Sequence, residues 1–220
     1  MPTILITGAN RGIGHRLTEL YRDDGWDVIA ACRNPGSADL VGEPLTLDVA
    51  DEASVAAAAK SLAGRPIDVL WNNAGVYLDK GQMLMDLSAQ EWLETFRVNT
   101  IAPILLCRAL LENVAASTHR KLAFTTSKMG SVALNSGGAY AYRSSKSALN
   151  MAVSSLAKEL APRDIRTVVM HPGWVRTDMG GSGADIDTNQ SAGGMKAVVD
   201  GLGVGQTGQF FNYDGKELPW

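Results

Sequence analysis

The chain has 220 residues, 45% of them hydrophobic and 20% charged, enough for one domain with a sizeable core. Its formal charge of -3 from 20 basic and 23 acidic residues gives no field to gather nucleic acid or an anionic membrane, so small-molecule chemistry is favoured. Two cysteines, Cys32 and Cys107, each in an apolar run without CxxC or Cys/His spacing, indicate neither a disulfide framework nor a metal site.

Short β-type runs alternate with helical ones. Strands are predicted at Thr3 to Thr7, Asp27 to Cys32, Leu45 to Asp48, Val69 to Trp71, Lys121 to Thr126, Arg166 to His171 and Gln209 to Phe211. Helices are predicted at Ile13 to Asp24, Glu52 to Leu62, Ala89 to Ala116, Tyr140 to Ala161 and Ser191 to Gly201. No linker or repeat divides them. The glycine-rich stretch 180–187 reads as a mobile loop. The pattern predicts an α/β fold: a Rossmann-type, doubly wound parallel sheet of about seven strands with helices on both faces, one domain over 1–220. The amino end lacks a charged n-region before its apolar run, and no apolar stretch approaches the ~20 residues a bilayer span needs. A cytoplasmic protein is expected.

In such sheets ligands lie beyond the carboxyl ends of the strands, and the unusual clusters of this sequence follow the strands: GANRGIG, RNPG, DVAD, NNAG, SKMGS and PGWVRTDM. In the first, glycines permit a tight turn and close approach of a pyrophosphate, and the helix that follows offers free N–H groups. The glycines stand at 8, 12 and 14, so GxGxxG is not matched. The second strand ends in Arg33 with no acidic residue between Asp27 and Asp39, which with Arg11 suits a 2′-phosphate and favours NADP(H) over NAD(H).

Carbonyl reduction needs an acid beside a preorganised hydrogen-bond donor. In AYAYRSSK, Tyr142 and Lys146 are four apart and share a helix face, whereas Tyr140 pairs with Ser144. An unperturbed phenol titrates near ~10, and bringing it toward ~7 takes about 4 kcal/mol, which nearby positive charge can contribute. Tyr142 is the candidate acid. Ser127, just past a β-run, offers a hydroxyl at the same sheet edge, and Asn99 stands in an otherwise apolar helix that must give it a partner.

Together these residues resemble the short-chain dehydrogenase/reductase family over essentially the whole chain. TGANRGIG resembles its TGxxxGxG loop, and LDV at 47–49, NNAG at 72–75, Asn99, the Ser127, Tyr142, Lys146 set and PGWVRTDM at 172–179 follow in order. The stretches around Tyr142 and Pro172 are more narrowly similar to sniffer-type carbonyl reductases and bacterial C-factor proteins. The resemblance implies an NADPH-dependent reductase of aldehydes or ketones, or, in the alternative, a dinucleotide-binding signalling protein with little turnover.

Carried over by position, Tyr142 donates the proton, Ser127 holds the carbonyl oxygen, Lys146 binds the nicotinamide ribose, and Asn99 helps hold a relay water. Cofactor contacts fall on Gly8, Asn10, Arg11, Gly12, Ile13 and Gly14 at the phosphates, Arg33 at the 2′-phosphate, and Asp48 and Val49 at the adenine. Asn73, Ala74 and Gly75 line the adenosine-side ribose, and Pro172, Gly173, Val175 and Thr177 lie by the nicotinamide. Two departures stand out. The interval from Ser127 to Tyr142 is long, so that simple counting falls on Met129, and Ser131 is the second choice for the hydroxyl. The substrate loop, 179–194, is short. The helices at Ala89 to Ala116 and Tyr140 to Ala161 offer faces for a homodimer or homotetramer. His171 reads as a hydrogen-bonded core residue, and Trp174 as either a pocket wall or a core cap.

Overall fold

A computed structural model describes all 220 residues. Seven strands, β1 (Thr3–Thr7), β2 (Asp27–Cys32), β3 (Glu43–Thr46), β4 (Val69–Asn72), β5 (Lys121–Thr125), β6 (Arg166–His171) and β7 (Gln209–Asn212), form one sheet in the order β3-β2-β1-β4-β5-β6-β7. Every pairing is parallel. The order reverses between β1 and β4, so the crevice outside their carboxyl ends is the natural ligand site.

Apart from the exposed edge strand β3, the strands are largely apolar on both faces because both are covered. Leu5, Ile29, Leu70, Leu122 and Phe124 point to one side, where they meet Val55 of α2 (Glu52–Ser61), Leu106 of α4 (Ala102–Ala109) and Val153 of α6 (Tyr140–Leu160). Ile4, Ile6, Val28, Trp71 and Met170 point to the other, against Leu17 of α1 (Gly12–Asp23) and Met195 of α7 (Thr188–Asp200). Two further helices, α3 (Ala89–Phe96) and α5 (Leu111–Ala115), complete the set. No helix is long and apolar enough to cross a membrane.

Three expectations change. The third strand runs Glu43–Thr46 rather than Leu45 to Asp48, because Ile29 to Cys32 of β2 set its register and the Asp48 N–H is taken by the Ser54 hydroxyl at 2.9 Å. The expected single helix over Ala89 to Ala116 is broken. It passes through a π segment at Arg97–Ile101 and breaks again at Leu110. Pro103 has no N–H to give the carbonyl four residues back, which is that of Asn99, so the α ladder must fail there.

The third change concerns residues 180–187, which carry two buried anchors. Ala184 and Ile186 are buried, the Ile186 carbonyl accepts from Arg176 N–H at 2.9 Å while its own N–H donates to the Trp174 carbonyl at 3.2 Å, and the Arg176 guanidinium donates to the Ala184 carbonyl at 2.9 Å. Ile186 lies over Gly173, where any added Cβ would fall 2.5 Å from its Cδ1. The following helix starts at Thr188, earlier than expected, with the Asp187 side chain accepting from Gln190 N–H at 2.8 Å.

Candidate active site

The first loop is built around contacts that exclude side chains. Gly8 has φ +66°, and a Cβ on Gly14 would lie 2.2 Å from the Gly8 carbonyl oxygen and 2.6 Å from Asn73 Nδ2. Thr7 Oγ1 accepts from the N–H groups of Asn73 and Ala74, both at 3.0 Å, while Asn73 Nδ2 donates to the Thr7 carbonyl at 3.1 Å. The Asn73 side chain is therefore a tie between β1 and β4. Gly75 approaches the other half of the site: its missing Cβ would lie 3.6 Å from Lys146 Nζ.

The start of α1 has no side-chain cap and no acidic residue in its first turn; its N-cap is Arg11 in extended conformation. Unpaired N–H groups and the positive helix end there fit a phosphate. Arg11 and Arg33 are exposed, and the Arg11 guanidinium reaches Asp178 at 2.7 Å. Thr177 lies against Gly12, within 3.3 Å of where a Cβ would be. This end of the sheet thus fits a dinucleotide, with Gly8 and the α1 N–H groups for the phosphates.

The long interval after Ser127 is resolved by packing. Gly130 presses on α6 so closely that a Cβ would lie 2.8 Å from the Lys146 backbone, and its carbonyl accepts from Ser147 Oγ at 2.7 Å. Thr126 Oγ1 bonds Asn150 at 2.7 Å. The extra residues are gathered by Arg143, which donates to the Gly137 carbonyl at 3.0 Å and to Ser136 Oγ at 2.7 Å. As a result Ser127 lies beside the Tyr142 phenol and favours its ionised form. Ser131 instead accepts from Leu134 N–H at 3.2 Å, holding the turn.

Tyr142 is buried, and that burial pushes its phenol up to about 12; Ser127 acts in the opposite direction, and the neighbouring Tyr77 adds to the rise. Lys146 is buried too, which lowers it to about 8, and its ammonium donates to the Thr125 carbonyl at 2.9 Å and stands 5.8 Å from the Tyr142 ring centre. Tyr140 is turned away as helical spacing requires. It lies 6.5 Å from the Trp92 ring, and Trp92 Nε1 donates to Ser144. Asn99 bonds Val76 in both directions at 2.9 Å and donates to Ser145 Oγ at 3.1 Å, so its side chain ties the strand-four loop to α6.

Two residues here were missed by sequence reasoning. Tyr77 stacks on Tyr142 with ring centres 4.3 Å apart and planes at 21°. Asp79, almost wholly buried, accepts from the N–H groups of Ala141 at 2.7 Å and Tyr142 at 3.2 Å. Nothing in their local spacing points to α6, more than 60 residues away; the one available signal was that Ala139 is a poor cap. His171 corrects another expectation: it is half-buried at the end of β6 and its Nδ1, shielded from solvent, has no partner; burial first and Lys128 second lower it to about 4. Trp174 is 53% exposed and donates to the Gly180 carbonyl, so it does not cap the core.

The chain matches the family described as short chain dehydrogenase over residues 2–185. The C-signal of Myxococcus xanthus is 45% identical over 163 residues, which span 74% of this chain and 98% of that protein. The carbonyl reductase Sniffer of D. melanogaster superposes with a TM-score of 0.94 at 35% identity, covering all of both chains. An NADPH-bound carbonyl reductase from chicken fatty liver gives a TM-score of 0.92 at 31% identity, over 100% of this chain and 99% of that one.

Proposed function

Because the chain belongs to the short-chain dehydrogenase/reductase family and is an NAD(P)-dependent oxidoreductase, we propose that it reduces the carbonyl of an aldehyde or ketone with NADPH, Tyr142 donating the proton. The observation that carries this reading is the meeting of Ser127, Tyr142 and Lys146 at the carboxyl edge of β5, where Lys146 is held by the Thr125 carbonyl.

The cofactor, when bound, supplies the hydride. Gly8, Gly12 and Gly14 with the start of α1 hold its phosphates; Asn10, Ile13, Ala74 and Gly75 border it; Asp48 and Val49 meet the adenine; Pro172, Gly173, Val175 and Thr177 flank the nicotinamide. Arg33 binds the 2′-phosphate, a role supported by its exposed place at the end of β2 and by NADPH in the chicken reductase. Ser127 donates to the substrate oxygen. Tyr142 gives that oxygen its proton, and the Lys146 ammonium stabilises the phenolate left behind. The Asn99 carbonyl, deprived of its α-helical donor by Pro103, offers an acceptor to a water that returns the proton. Pairing of subunits through α3, α4 and α6 is supported by exposed Leu93, Ile101 and Met151, and light scattering tests it.

The test is NADPH oxidation over a carbonyl panel, with NADH in parallel. Tyr142→Phe is expected to lower kcat by about 10²–10⁴-fold, the usual worth of a general acid, while NADPH still binds. Unchanged turnover refutes the assignment. A second reading, a dinucleotide-binding signalling protein, is favoured by the 45% identity to a C-signal. It predicts cofactor binding without turnover and a cellular phenotype that survives Tyr142→Phe.

A further inference from the structure

The helix that carries Tyr142 begins without a cap of its own. Its N-cap residue, Ala139, has left-handed backbone (φ 48°, ψ 50°) and no side chain able to accept a hydrogen bond, and the first turn holds no acidic residue. Four N–H groups at a helix start need partners, and a buried start without them is costly. Two of these N–H groups, those of Ala141 and of Tyr142 itself, donate to the carboxylate of Asp79. That carboxylate is 1% exposed, and its hydrogen-bond partners are these two N–H groups at the positive end of α6.

Asp79 is the last of a series of anchors. Asn73 and Ala74 are tied to Thr7 beside the phosphate loop, Val76 is bonded twice by Asn99, Tyr77 lies flat on the Tyr142 ring, and Asp79 closes on the Tyr142 main chain. Residues 73–79 therefore form a strut from the cofactor loop to the proton donor. We propose that Asp79 is the positioning residue of Tyr142: by capping α6 from the strand-four loop, it fixes the height of the phenol relative to the cofactor site. The inference rests on the reading of Tyr142 as proton donor.

The experiment compares Asp79→Ala, Asp79→Asn, Tyr142→Phe and the Asp79→Ala, Tyr142→Phe double variant in the full chain. Turnover is read by single-turnover NADPH oxidation, NADPH affinity by fluorescence, and first-turn order by amide exchange at Ala141 and Tyr142. Asp79→Ala is expected to lower kcat about 10- to 100-fold, the scale of a small misplacement, with NADPH affinity within about twofold and faster exchange at both amides. Asp79→Asn, which keeps one acceptor oxygen, recovers part of the loss and serves as the folded comparison. In the Tyr142→Phe background the alanine adds no further loss, because there is no phenol left to position. An equal further loss there, or unchanged kcat in Asp79→Ala, overturns the positioning role while leaving Tyr142 as the acid. Full activity in Tyr142→Phe alone overturns both.

Discussion

The starts of α1 and α6 lack the same thing and are completed in opposite ways. α2, α3 and α7 begin with Asp51, Ser88 and Asp187, whose side chains accept from their own first-turn N–H groups. α1 begins with Arg11 and α6 with Ala139, neither of which does so. At α6 a carboxylate from elsewhere in the chain, Asp79, fills the gap. At α1 no side chain does, and the glycines at 8 and 14 keep the approach clear. A helix start that the protein caps is a fixed mount; one left open beside a glycine loop keeps its N–H groups free for an anion.

The most damaging way to break this contrast is Gly14→Ala. Its methyl group would meet a backbone oxygen at 2.2 Å, which cannot be relieved by a side-chain rotation. Loss of NADPH binding by fluorescence is expected, together with destabilisation of about 1–3 kcal/mol in a denaturant melt, the usual cost of overpacking.

Lys146→Met probes the other helix. Burial holds the Lys146 ammonium at about 8 against an ordinary 10.5, so the folded state releases its proton before the unfolded chain does. Below pH 8 both states are charged and the full cost of about 3 kcal/mol stands; between pH 8 and 10.5 it is relieved as pH rises. The methionine variant is expected to lose turnover yet melt several degrees higher than wild type at pH 7, and to lose the wild type's gain in stability across pH 8 to 10.5. Thermal melts over that range check both.

The mildest change is Arg11→Ser, which gives α1 the kind of cap that α3 has. The extended backbone of residue 11 suits a capping serine, and a gain of about 0.5–1 kcal/mol without ligand is expected. NADPH affinity should fall about tenfold, a loss of about 1.4 kcal/mol, as the serine takes an N–H group and the arginine charge is gone. Melting temperatures with and without NADPH measure the two effects in one experiment.

Much of the site was legible because its signals are local. Tyr142 and Lys146 share a face by helical spacing alone, and Ser127 stands just past a β-run whose edge the parallel topology fixes. The role of the Ser127 to Tyr142 interval was not legible, since loop length says nothing of how Gly130 and Arg143 gather it against α6. The break at Asn99 was written in Pro103, four residues on, but an apolar run with helical periodicity obscured it. Ile186 likewise is the lone large apolar residue in a glycine- and aspartate-rich stretch, and its seat over Gly173 makes an anchor of it.

By itself the sequence determined the alternation of strands and helices, the parallel sheet and the residues that stand at its carboxyl edge, because hydrophobic period, glycine placement and i,i+4 spacing act within a few residues of each other. The tertiary structure decided which helix start is open and which is closed. That choice depends on where a carboxylate 62 residues before Ala141 comes to rest, and no local propensity reports it.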